Sequence, residues 1–163
     1  MTALYIAIGL LLLLLAVLAV NTIRKRPRPG AARKPEPPAL DEETLAEHLS
    51  GMIRYKTVTS ATPEGVDREA FLGLHAYLER TYPLLHGALE RETVSEYSLL
   101  YRWKGSGSGK KAFLMMAHMD VVPVEEATEG DWTHGAFSGD IAEGYVWGRG
   151  AIDNKGPAIA ALY

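Results

Sequence analysis

Hydrophobic and polar positions alternate in three different ways along the chain, and each pattern predicts a different kind of element. Ala3 to Val20 is an uninterrupted uncharged run of mostly Leu, Ala, Ile and Val. It has no polar face, so a helix over it cannot be a soluble core helix. About 20 apolar residues at roughly 1.5 Å each cross a hydrocarbon core of about 30 Å. The run therefore predicts one transmembrane helix, with domain boundaries at 1–23. A cleaved signal peptide would want a basic start and a small-x-small cleavage site. Met1-Thr2-Ala3-Leu4-Tyr5 has no basic residue, and Val20-Asn21-Thr22-Ile23 is a poor site. An uncleaved, single-pass anchor held in the membrane by residues 3–20 is the expectation. Arg24, Lys25, Arg26 and Arg28 follow directly, and the positive-inside rule then favours a cytoplasmic-facing domain. Residues 24–40 read as a basic, proline-rich linker: Pro27 to Pro38 holds five of the nine prolines, which makes a stiff, extended spacer.

A helical period begins near residue 41. Asp41 is a plausible N-cap, with Glu42 and Glu43 in the first turn. Leu45, Leu49, Met52 and Ile53 then mark one face. A second helix is expected from about Val66 to Arg80, with Phe71, Leu72, His75 and Leu78 on one side and a stop at Tyr82-Pro83. His75 has no ligand partner nearby in sequence and reads as a helix-surface histidine. The period then changes. Tyr97 to Trp103 is rich in β-formers, Lys104 to Lys110 is a flexible connection, and Ala112 to Ala117 is a continuous apolar run. Such a run fits a strand buried on both faces, with Met115 and Met116 as core filler. Ile141 to Trp147 looks like a hairpin turning at Glu143-Gly144. Helices followed by strands indicate an α/β fold, a mixed sheet covered by helices, over residues 41–163.

Charge changes the picture in one respect. The 163 residues carry a net −3, but six of the 17 basic residues lie in 24–34, where there is no acid. The other 11 face all 20 acids, so 35–163 is near −9. An acidic body without a basic stripe excludes nucleic-acid binding as a function class. The absence of cysteine removes zinc-finger and thiol-nucleophile readings.

Candidate chemistry sits where the apolar run ends. In extended chain, His118 and Asp120 point to the same side, at the carboxyl end of the expected strand. A histidine beside a carboxylate is a standard metal arrangement, although H-x-D alone is equally a surface pair. The second candidate is Gly148-Arg149-Gly150-Ala151-Ile152-Asp153-Asn154-Lys155-Gly156. Its three glycines allow sharp bends and close approach around Asp153. The spacing of a phosphate-binding P-loop is absent.

Taken in this order, Met116-Ala117-His118-Met119-Asp120-Val121-Val122-Pro123-Val124, then Trp132, Phe137, Gly139 and Asp140, then the Asp153 segment, resemble the M20 metallopeptidases. The chain is most similar to their carboxypeptidase S / Gly-Xaa carboxypeptidase branch, and Met52 to Val58 also matches the family's opening helix and loop. The resemblance covers roughly 42–163. It implies the N-terminal part of a di-zinc catalytic domain that hydrolyses amide or peptide bonds, with peptides or N-acyl amino acids as substrates. It implies His118 as a zinc ligand, Asp120 as the carboxylate that orients it, and Asp153 as the carboxylate bridging two zinc ions. It also implies a cis peptide between Asp153 and Asn154.

Two departures from the family pattern stand out. Ala136 occupies the place of a usual proline before Phe137, which puts the rigidity of that loop in doubt, and His134 beside it reads as a loop residue. The family's Glu-Glu pair, its later Asp or Glu, its distant His and its lid domain belong after the Asp153 segment, and none can lie in Pro157 to Tyr163. The expectation is an N-terminal fragment, inactive as a peptidase by itself and at best a weak zinc binder, with the lid domain allowing a homodimer. The alternative is a non-catalytic binding module on a hydrolase fold tethered to the membrane.

Overall fold

Asp41 and Asp67 each start a helix by the same device, a carboxylate accepting a backbone N–H of the first turn. In the computed structural model, which describes residues 2–25, 39–60, 62, 65–107 and 109–163, the chain divides at Ala39/Leu40 into two compact units. The first contains helix α1 (Thr2–Arg24). Its stretch Leu4–Arg24 holds an 18-residue window with a mean hydropathy of 2.7 and is long and apolar enough to cross a membrane. The basic Arg26 and Arg28 and the proline spacer Pro27 to Pro38 lie outside the described residues.

The second unit opens with α2 (Glu42–Ile53). Thr44 N donates to Asp41 Oδ1 at 3.1 Å and Thr44 Oγ1 to Oδ2 at 2.7 Å, which holds the Asp41 carboxyl below the usual carboxylate range. Met52 and Ile53 are fully buried. Helix α3 (Arg68–Thr81) starts at Asp67, whose Oδ1 accepts from Ala70 N at 3.0 Å. Its inner face is Phe71, Leu74, His75 and Leu78, spaced i, i+3, i+4, i+7. Leu72, expected on that face, lies on the outer side, because Leu74 takes the inward position. Pro83 ends the run as expected, and it also opens the short α4 (Pro83–Ala88), where a missing N–H costs nothing.

His75 corrects the sequence reading: its ring is buried, and its Nε2 lies 2.9 Å from the Tyr97 carbonyl, to which it donates. Burial pushes its pKa down and nearby Arg91 adds to this, while the Tyr97 carbonyl opposes both. The folded state thus holds this ring neutral more firmly than the unfolded chain does. Its contribution to stability is complete above the ordinary histidine pKa of about 6.5 and is lost as pH falls below it. Urea unfolding of the detergent-solubilised chain should show a midpoint that drops between pH 7.5 and 5.5, and His75→Gln should flatten that drop. An unchanged slope in the variant would contradict the assignment.

Strands β1 (Glu90–Val94) and β2 (Ser98–Arg102) form an antiparallel hairpin, Glu90 opposite Arg102 and Val94 opposite Ser98. The expected strand over Ala112 to Ala117 is not formed. The run has no ladder partner among the described residues, and Phe113, Leu114, Met115 and Met116 are exposed, so Met115 and Met116 fill no core here. A strand covered on both faces requires neighbours on either side. Among the described residues the only strand pairing on this arm comes later, a parallel bridge between Val58 and Val121, with Val121 N donating to Thr57 O at 2.9 Å and Thr59 N to Val121 O at 3.1 Å. The mixed helix-and-strand composition therefore stands, but the described residues form two separate two-stranded hairpins and no central sheet.

The second hairpin, β3 (Ile141–Ala142) and β4 (Tyr145–Val146), turns at Glu143-Gly144 as expected. Both residues have positive φ, 55° and 80°, the type I′ geometry that matches strand twist. Just before it, Gly139 at φ 65° passes so close to the Ser50 carbonyl of α2 that a Cβ would collide with that oxygen. A tight turn, Ala151–Lys155, leads into α5 (Gly156–Leu162). The core lies where α2, α3 and α5 meet: Met52, Leu74, Leu78, Tyr82, Ala158 and Ile159.

Candidate metal centre

The two candidate segments arrive from opposite directions. His118 and Asp120 ride on the arm that ends at the Val121 bridge. Asp153 stands at the tip of the turn between β4 and α5, closed by Lys155 N donating to Gly150 O at 2.9 Å. His118 and Asp153, 35 residues apart in sequence, meet in space: His118 Nε2 is 3.0 Å from Asp153 Oδ1. His118 N also donates to Asn154 Oδ1 at 3.3 Å, and the Asp153–Asn154 peptide is cis, as the resemblance implies.

The His118 ring is oriented from its other side. Nδ1 lies 3.0 Å from the Asp120 carbonyl oxygen and 3.4 Å from the Asp120 carboxylate Oδ1. A carbonyl and a carboxylate oxygen only accept, so Nδ1 donates to the Asp120 carbonyl, and the protonated ring also donates from Nε2 to Asp153 Oδ1, the nitrogen a metal would take in the proton's place. The nearer orienting group is thus the backbone of Asp120 and not the carboxylate that the resemblance implies. Burial pulls the His118 pKa down, but the Asp120 carbonyl and the Asp153 and Asp120 carboxylates together outweigh it, and the pKa is raised above the ordinary value.

These groups border a cavity of about 530 Å³ whose apolar wall includes Trp132, Tyr145 and Trp147. The Asp153 side chain is 85% exposed, and its Oδ2 accepts no hydrogen bond among the described residues. One imidazole nitrogen and carboxylate oxygens are the donor types zinc prefers. The 3.0 Å gap between Nε2 and Oδ1 is close to the roughly 3.3 Å expected for two ligands of one tetrahedral ion at about 2.0–2.1 Å each. The residues fit the metal but do not complete its shell: among the described residues no three His, Asp or Glu side chains are disposed to hold an ion.

The other sequence candidates stand apart. His134 Nδ1 pairs with Asp140 Oδ2 at 2.9 Å, which lowers the Asp140 pKa, and its ring leans on Trp147 at 4.7 Å. Ala136, in the proline's place, is buried, and its carbonyl accepts from Arg149 N at 2.6 Å, so that loop is tied by a backbone bond. The Arg149 guanidinium lies 5.2 Å over the Trp132 ring.

Two buried polar residues had no sequence signal. Lys155 is fully buried, and its Nζ donates to Tyr55 O at 2.7 Å and Met52 O at 3.0 Å at the C-terminal end of α2. Burial pushes its pKa down to about 8. Thr57, also fully buried, donates from Oγ1 to Met119 O at 2.6 Å, between His118 and Asp120. The partners are backbone carbonyls, which no side-chain pattern announces.

Residues 114–163, which contain both arms, match the model of peptidase family M20/M25/M40. "Probable carboxypeptidase S-like 2" of Dictyostelium discoideum is 35% identical over 162 residues, 94% of this chain and 31% of that protein. Carboxypeptidase S of Saccharomyces cerevisiae is 42% identical over 121 residues, 70% of this chain and 21% of that protein. The chain belongs to the M20 peptidase family. Another M20 relative, the mouse N-fatty-acyl-amino acid synthase/hydrolase PM20D1, is 34% identical over 159 residues, 95% of this chain and 31% of that protein. The chain spans less than a third of the length of these three M20 relatives. M20 peptidases are generally metal-dependent, typically on zinc.

Proposed function

We propose that the whole protein is a zinc-dependent hydrolase of an amide or peptide bond, of carboxypeptidase or aminoacylase type, anchored to a membrane by α1. The observation that carries this reading is the meeting of His118 Nε2 and Asp153 Oδ1 at 3.0 Å, from two distant segments, at the edge of a large cavity. His118 would act as a terminal ligand and Asp153 as the bridge between two ions. Asp120 keeps the Nδ1 proton of His118 in place, so that the Nε2 lone pair is the one offered. When bound, the ions would supply Lewis acidity that polarises the amide carbonyl and acidifies water.

The substrate reading rests on the cavity wall and on the relatives. Trp132, Tyr145 and Trp147 offer an apolar surface beside the polar groups, suited to an acyl chain or an apolar side chain. The named relatives include carboxypeptidases and an N-fatty-acyl-amino acid synthase/hydrolase. Peptides and N-acyl amino acids are therefore the proposed substrate classes. The residues described here supply one imidazole and two carboxylates but no general base beside them, so the 163-residue chain alone should show no measurable hydrolysis. The test is an assay of the whole protein on a blocked dipeptide and an N-acyl amino acid, with and without a chelator. Hydrolysis that chelation abolishes and zinc restores is expected, and hydrolysis indifferent to chelation would sink the reading.

A further inference from the structure

The segment from Met52 to Thr59 touches both arms of the candidate site. On one side Thr57 Oγ1 donates to Met119 O at 2.6 Å, and Val121 N donates to Thr57 O at 2.9 Å, which fixes the arm that carries His118 and Asp120. On the other, Lys155 Nζ reaches Met52 O and Tyr55 O, which fixes the turn that carries Asp153. Lys155 lies two residues after Asp153, is fully buried, and points away from the cavity, back under the loop into the end of α2. Its acceptors sit at the negative end of a helix dipole, where an ammonium is favoured. Burying an ammonium is costly, and an apolar chain of the same length would fill the space. What the ammonium adds is direction: two carbonyls at 2.7 and 3.0 Å set how the turn sits against α2.

We propose that Lys155 is a positioning residue that, by clamping the Asp153 turn to the end of α2, sets the register between the two arms of the metal site. The proposal rests on the metal-site reading above. It goes beyond that reading in assigning the site's geometry to a group that touches neither substrate nor metal. A lysine that merely filled space could be replaced by methionine without effect on the site.

The experiment is a cobalt(II) titration of the whole, metal-stripped protein, read by the visible absorption of the bound ion, whose intensity reports coordination. Wild type, Lys155→Met, Lys155→Gln and Leu78→Ala are compared, with folding checked by circular dichroism and urea unfolding. Leu78→Ala weakens the core on α3 but leaves the clamp intact. Lys155→Met should keep a cooperative fold, bind cobalt about 10–100-fold more weakly, the range found when groups that orient metal ligands are removed, and show a changed band at saturation. Lys155→Gln, with one shorter donor, should fall between Lys155→Met and wild type, and Leu78→Ala should match wild type in cobalt affinity and band. Wild-type affinity and band in a folded Lys155→Met would overturn the proposal while leaving the metal site standing. Loss of cooperative unfolding in both lysine variants would also overturn it, by making the residue structural. A wild-type protein without cobalt absorption would overturn the metal-site reading, and the proposal with it.

Discussion

If Asp153 bridges two ions as proposed, Asp153→Ala in the whole protein should lower amide hydrolysis at least about 1,000-fold, since loss of a shared ligand forfeits several kcal/mol of transition-state stabilisation at about 1.36 kcal/mol per factor of ten. The change is chemical and not structural. The side chain is 85% exposed at the tip of its turn, so truncation opens no cavity and breaks only the contact to His118 Nε2. The turn itself is closed by backbone, Lys155 N to Gly150 O, and held by Lys155 from beneath. Unfolding by urea should therefore be little changed while kcat/KM collapses. A loss below tenfold with a normal fold would mean that Asp153 does not serve the reaction.

Gly150→Ala should destabilise the second unit by about 2–5 kcal/mol. Gly150 has φ 82°, a left-handed conformation that costs a residue with a Cβ roughly 1–2 kcal/mol. Its missing Cβ also leaves room for Val121: an added methyl would collide with the Val121 Cγ1, which is buried and pinned by the Val58 bridge. Overpacking of this kind costs a further 1–3 kcal/mol or so. The collision lies where the two arms pass each other, so metal binding should weaken along with stability. Urea unfolding of the solubilised chain measures the first effect. A shift under about 1 kcal/mol would mean that the arms do not pack as described.

The helical half of the fold was legible because helix signals are local. Asp41 as cap and Leu45, Leu49, Met52 and Ile53 as one face needed only spacing, and the structure keeps all of them. The face of α3 was misread by one residue pair: Leu72 and Leu74 are both apolar, and only packing against α2 and α5 selects Leu74. Strand β1 carried no signal at all. Glu90 to Val94 is exposed throughout and held by pairing with β2, so it shows no alternation. The Ala112 to Ala117 run had the composition of a buried strand, yet burial depends on neighbours that no single segment can specify.

The site divided in the same way. His118, Asp120 and Asp153 were found through a motif whose order and residue types resemble a family, and the fold brings them together. Spacing alone left His118 and Asp120 evenly divided between a metal pair and an ordinary surface pair, because the partner that gives them meaning is 35 residues on. Thr57 and Lys155 escaped notice because they act on backbone carbonyls of Met119, Met52 and Tyr55. Only the folded chain shows which carbonyl lies within reach.

The most direct test of the account is the zinc content of the purified whole protein, counted by elemental mass spectrometry and compared with that of His118→Ala. The account predicts two zinc ions per wild-type chain and a clear loss in the variant, since His118 is oriented by the Asp120 carbonyl to offer Nε2 beside Asp153. Equal zinc in both proteins, or a hydrolytically active wild type without zinc, would contradict it.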